Sequence, residues 1–109
     1  LRMAAALSAT LALAACAETQ QAADAVARKS AKAAVEETLV RRLPLLSATQ
    51  VTPYSNCIID NASAGEILSL AGDAVTGTDQ GTAELVFAIA TRPDTSKCLA
   101  GLGLRAPLL

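Results

Sequence analysis

The strongest constraint on the fold is a run from residue 17 to residue 43 that contains neither glycine nor proline and is dense in Ala, Glu, Gln, Lys and Arg. Straight-chain and alanine side chains lose little rotamer freedom in a helix, so this run predicts one. Its acids lean to the start (Glu18, Asp24) and its bases to the end (Arg41, Arg42), which suits the helix dipole. Val35, Leu39 and Leu43 recur every four residues and predict an apolar stripe on the last two turns. Before Val26 there is almost no bulky apolar residue. The first half is therefore expected as an exposed tether and the second half as docked, with a reach of about 40 Å at 1.5 Å per residue.

The rest of the chain must build its core from small parts. Apolar residues make up 52% of the sequence, but 25 of the 109 residues are Ala, and the aromatics are one Phe (Phe87) and one Tyr (Tyr54). Such a core favours close helix–helix packing, so the expected class is all-α. Pro44 ends the long helix, and residues 44–53, with Ser, Thr and Pro53, are expected as a linker in which Leu45, Leu46 and Val51 drape over the domain. A small domain of three to four short helices is expected over 54–101. Cys57-Ile58-Ile59 falls in a short helix or turn. Ser63-Ala64-Gly65-Glu66 fits a capping box, with Ile67, Leu68 and Ala71 inward and Gly72 as a stop. Asp79 can cap a helix from Gln80 to Thr91 with Leu85, Val86 and Ile89 inward; a strand over 84–90 is the alternative, disfavoured by the lack of alternation. Pro93 fits the first turn of a last helix carrying Cys98 and Leu99. Gly101 and Gly103 loosen the end, and 102–109 is expected as a flexible tail.

The chain opens with Arg2, an apolar stretch from Ala4 to Leu13, and Leu13-Ala14-Ala15-Cys16. A basic start, about ten apolar residues and a small-small-Cys ending describe a secretory signal. The stretch is too short to span a bilayer, which needs about 20 apolar residues, and Glu18, Gln20, Gln21 and Asp24 follow at once. Two starts fit, Leu1 and Met3, and only the first includes Arg2. Leu13-Ala14-Ala15-Cys16 resembles the lipobox of bacterial lipoproteins. That resemblance implies a signal peptide over 1–15, a diacylglyceryl group on the Cys16 thiol, cleavage before Cys16 and acylation (palmitate or a similar chain) of the new amine. Residues 16–43 then become lipid anchor and tether helix. Ala17, rather than Asp, implies the outer membrane, facing the periplasm.

With Cys16 lipidated, Cys57 and Cys98 are the thiols left. An exported chain meets an oxidising compartment, so a Cys57–Cys98 disulfide is expected. It would staple a thin core. A redox role is the alternative, but there is no Cys-x-x-Cys.

A search for chemistry returns little. There is no His, which removes the commonest general base and most zinc sites. No glycine-rich phosphate loop or EF-hand pattern is present, so no catalytic residue, cofactor or metal is assigned. Ten acidic side chains against nine basic ones offer no basic face for nucleic acid. Asp60, Glu66 and Asp73 are candidates for paired carboxylates, though their places at helix ends suit capping. Arg92-Pro93-Asp94 suits a helix start, with Arg92 also a candidate for binding an anion or partner; Tyr54, with Asn56, is a candidate for lining a recognition patch, the simpler reading being that Tyr54 covers the disulfide.

The segment Cys57-Ile58-Ile59-Asp60-Asn61-Ala62, with Arg92-Pro93 and Cys98 downstream, resembles small alphaproteobacterial lipoproteins of unknown function. Some of these bear a succinate dehydrogenase label; no flavin, haem or iron–sulfur motif in this chain carries that activity over. A looser similarity is to periplasmic acid-stress chaperones, which are also small, helical and closed by one disulfide. The expected function is a non-enzymatic envelope lipoprotein, held to the membrane through lipid on Cys16, that presents a helical module to an unknown protein partner. The alternatives are an acid- or stress-linked chaperone and, last, an enzyme.

Overall fold

The computed structural model describes residues 24–106, and every regular element among them is helical. Helix α1 occupies 24–42. It is followed by α2 (Ala48–Asp60), α3 (Ala64–Thr76), α4 (Gln80–Ala90) and α5 (Pro93–Gly101). The expected all-α architecture closed by Cys57–Cys98 is what forms. The signal peptide assigned to 1–15 and the lipidated Cys16 lie outside the described residues.

Two boundaries differ from the sequence expectation. Ala31, Ala34, Val35 and Leu39 of α1 are buried, each at most 1% exposed. The second half of α1 is thus docked, as expected, and the packed unit begins before Tyr54. Alanine lets the α1 backbone come close, and Val35 and Leu39 fill the space behind it. Burying a side chain such as Leu39 is worth about 1.5–3 kcal/mol.

The linker assigned to 44–53 is largely helix, because α2 starts at Ala48 and runs through Pro53. Proline inside a helix costs about 3 kcal/mol or more, since it withholds a donor and crowds the preceding turn. Two effects offset that cost. Gln50 Oε1 accepts from the Ser47 backbone N–H at 2.9 Å, so Ser47-Ala48-Thr49-Gln50 is a helix-start signal that sits before the proline. Beyond it, Val51, Tyr54, Ile58 and Ile59 all enter the core.

The later elements follow their caps. Ser63 Oγ accepts from the Glu66 N–H at 3.2 Å and Glu66 Oε1 accepts from the Ser63 N–H at 2.8 Å, as the capping box required. Gly72 does not stop α3, which continues to Thr76 and ends at Gly77 with φ +106°. An L side chain rarely adopts that backbone angle, and glycine does so freely. Ile67 and Leu70 of α3 are buried and Ala71 packs against the core, whereas Leu68 is 65% exposed. Asp79 caps α4, accepting from the Thr82 N–H at 3.0 Å, and Val86 and Ile89 are buried. Pro93 begins α5, which delivers Cys98 to Cys57.

The contacts divide the bundle into two ends. At one, the α2–α3 turn meets the start of α5 (Arg92 to Glu66) and the start of α1 meets the end of α2 (Arg28 to Asp60, 3.1 Å). At the other, the α1–α2 turn lies beside the start of α4, where Arg42 donates to Gln80 Oε1 at 2.9 Å.

Candidate functional site

An apolar concavity lies at the second end. The Leu43 N–H donates to the Leu39 carbonyl (2.8 Å) and closes α1; the Leu46 N–H donates to the Leu43 carbonyl (3.0 Å) and closes a turn whose middle is Pro44-Leu45. Proline cannot extend the helix, and Leu45 projects outward, 99% exposed. Opposite the turn is the segment after α5. The Leu104 N–H donates to the Leu99 carbonyl and the Gly103 N–H to the Ala100 carbonyl, with Gly103 at φ +72°. This is the six-to-one and five-to-two pattern of a glycine-terminated helix, with Leu104 returned to the core. Of the flexible tail expected over 102–109, Leu104 and Ala106 pack against the core while Leu102 is 52% exposed, and 107–109 lie outside the described residues.

Tyr54 holds that tail. Its ring is buried, 1% exposed, and its hydroxyl donates to the Arg105 carbonyl at 3.0 Å. Burial pushes the phenol up to about 12 from 10.0, because the phenolate loses its hydration. A groove of about 510 Å³ results, lined by Arg42, Leu43, Pro44, Leu45, Leu46, Tyr54 and Arg105. Among the described residues, two guanidinium groups and no carboxylate stand on its walls. Among the described residues, the ion pairs are Arg28–Asp60, Arg41–Glu37 and Arg92–Glu66, and neither Arg42 nor Arg105 is in one. Sequence reasoning missed Arg42 and Arg105. The signal available for the turn was Arg41-Arg42-Leu43-Pro44-Leu45-Leu46, two cations running straight into an apolar turn.

Arg92, the candidate anion binder, is occupied. Its Nη1 donates to Glu66 Oε1 (2.8 Å) and to the Asn61 carbonyl (3.0 Å), and its Nη2 donates to Glu66 Oε2 (2.5 Å). The guanidinium joins the start of α5, the end of α2 and the first turn of α3. The two hydrogen bonds from Arg92 and the Ser63 N–H hold the Glu66 carboxyl at about 2, below its ordinary 4.5. The same pair raises Arg92. Arg92 is thus a clamp within the fold, with its fork already filled by a carboxylate.

The remaining candidates do not converge. Asn56 is exposed while Tyr54 is buried, so the two do not share a patch. Asp60 pairs with Arg28, Glu66 with Arg92, and Asp73 Oδ2 accepts from Thr82 Oγ1 at 2.8 Å. The three carboxylates stand in separate networks. Asp79, held below its usual range by the Thr82 N–H, serves as the cap of α4. Among the described residues no group of three or more His, Cys, Asp or Glu is placed to hold a metal ion. No described helix is long and apolar enough to cross a membrane. Comparison with protein-family models, with curated proteins and with solved structures finds no match for this chain.

Proposed function

We propose that this chain is a lipoprotein of the bacterial cell envelope, related to the small alphaproteobacterial lipoproteins that it resembles, and that its helical domain works by docking rather than by catalysis. Acyl chains on Cys16 hold it to the outer membrane, on the periplasmic side. The observation that carries this reading is the bond between Cys57 and Cys98. Disulfides persist in oxidising spaces such as the periplasm and are rare in the cytosol. The Leu13-Ala14-Ala15-Cys16 motif supports the same destination, and two or more acyl chains would make attachment stable. The groove of apolar walls with Arg42 and Arg105 supports docking.

Intact mass of the protein isolated from envelopes tests the anchor. The wild type is expected to carry the added mass of its acyl groups and to lack the thiol hydrogens of Cys57 and Cys98; Cys16→Ala is expected to carry no lipid. A wild type without acyl mass overturns the anchoring.

A periplasmic acid- or stress-linked chaperone is the second reading. It is supported by the Glu66–Arg92 clamp, whose carboxylate protonates only near pH 2. Acid would release the α2–α3 corner from α5 and loosen the domain. Failure to suppress client aggregation in acid removes this reading.

A further inference from the structure

We infer that the α1–α2 turn is a second membrane contact, which takes an anionic lipid surface between the guanidinium groups of Arg42 and Arg105. The inference rests on the docking reading above and names its partner. Leu45 is 99% exposed at the tip of the turn, beside the exposed Pro44, with Leu43 and Leu46 partly buried behind it. A leucine left wholly in water at the head of an apolar groove is suited to shallow insertion among acyl chains. The flanking cations then fall at the level of the headgroups.

Charge selects the occupant. Among the described residues the groove carries Arg42 and Arg105 and no acid, in a chain whose net charge is −1. Among the described residues the Arg42 guanidinium is hydrogen-bonded only to the neutral amide of Gln80, so no described carboxylate cancels its charge. Arg41 lies next to it and pairs with Glu37 at 2.8 Å on an exposed helix face; such a pair is weak enough to exchange for a phosphate.

The outer face of α1 fits the same surface. Val26 is 66% exposed and Val40 is 61% exposed, and with the exposed Ala33 they recur at equal intervals opposite the buried Ala31, Ala34, Val35 and Leu39. Positions spaced in this way lie on one stripe of a helix. α1 laid along the bilayer would present this stripe, with the Leu45 turn at its far end. Cys16 precedes α1 in the sequence and the turn follows it, so the two contacts bracket the helix.

The chain has no Trp, so Leu45→Trp is a unique reporter at a position whose side chain touches no core. The protein isolated from envelopes is mixed with vesicles of phosphatidylcholine, with or without phosphatidylglycerol. The expected result is a blue shift of the tryptophan and quenching by brominated acyl chains on the anionic vesicles, with little change on the neutral ones. Arg42→Gln and Arg105→Gln should each weaken this response about fivefold, the factor for one cation near an anionic surface. A tryptophan that stays solvent-like on anionic vesicles overturns the inference. So does a blue shift without lipid, which would mean that the chain's own Leu108 and Leu109 or, if it grows with concentration, a second copy covers the turn. Acyl mass on Cys16 with an unshifted tryptophan would sink this contact alone; a shifted tryptophan without acyl mass would sink the anchor alone.

Discussion

Arg92 and Arg105 mark opposite ends of the bundle, and their surroundings differ in kind. Around Arg92 every strong group has a partner: both Glu66 oxygens, the Asn61 carbonyl and the Ser63 N–H. The Cys57–Cys98 bond ties the same two helices, α2 and α5, together. Around Arg105 the backbone carbonyl is taken by Tyr54, but the guanidinium lines an apolar groove in which no described carboxylate stands. Leu45 there stays in water. A charged side chain of one type is thus spent on the fold at one end and left available at the other. This comparison is the reason to seek function at the α1–α2 turn, even though Arg92 stands out more in the sequence.

The largest expected effect breaks the stapled end. Replacing Cys57 and Cys98 by alanine frees a loop with a sequence separation of 41, and the loop-entropy estimate for its closure is about 4 kcal/mol as an upper guide. Denaturant unfolding should show a loss of that order, against no more than about 0.5 kcal/mol for Leu45→Ala at the exposed turn. Equal losses from the two changes would erase the distinction between the ends.

Next in size is the clamp. A carboxyl lowered from 4.5 to about 2 corresponds to about 3 kcal/mol without screening. Arg92 is 40% exposed and Glu66 20%, so solvent screening reduces the expected cost of Glu66→Gln to about 1–2 kcal/mol. The folded value lies below the unfolded one. The contribution is therefore complete above about pH 4.5 and is lost as pH falls toward about 2. The stability of wild type and Glu66→Gln should converge across that window; a constant difference would show that the carboxylate charge is not what the clamp uses.

The smallest effect sharpens the picture of the open end. The single Tyr should ionise near 12 in the folded chain and near 10 when unfolded, as read by tyrosinate absorbance. Because the folded value is raised, the stability tied to Tyr54 is whole below about pH 10 and disappears as pH climbs toward about 12. Tyr54→Phe should cost about 1 kcal/mol, the worth of one hydrogen bond. A midpoint near 10 in the folded protein would place the phenol in water and the tail away from it.

Much of the fold was legible because its signals are short-range. The Ser63–Glu66 box, the Asp79 cap and Pro93 at the head of α5 each act within four residues and appear where the sequence places them. Ser47–Gln50 is a signal of the same kind, hidden by Pro53, whose helix-breaking tendency was outweighed by the burial of Val51, Tyr54 and Ile58. Leu68 and Leu70 show the limit of periodicity: both are leucines on α3, and only the position of the neighbouring helices decides that Leu70 is the buried one.

The candidate site was less legible. Tyr54 was singled out from the sequence, as part of a recognition patch or as cover for the disulfide; the structure makes it part of a groove wall and the fastener of the tail. Nothing near Arg105 in the sequence points to Arg42 as a neighbour across a groove.

By itself, then, the sequence determined a helical chain with defined starts and two cysteines suited to pairing, because helix propensity, caps and proline positions are properties of a few consecutive residues. Only the tertiary structure decided that residues 48–53 join α2, that Leu104 and Ala106 pack against the core, that Arg92 is consumed by Glu66, and that Arg42 and Arg105 share a groove. Those outcomes hang on contacts such as Tyr54 to Arg105, 51 residues apart, and on which apolar faces remain uncovered once the helices have met.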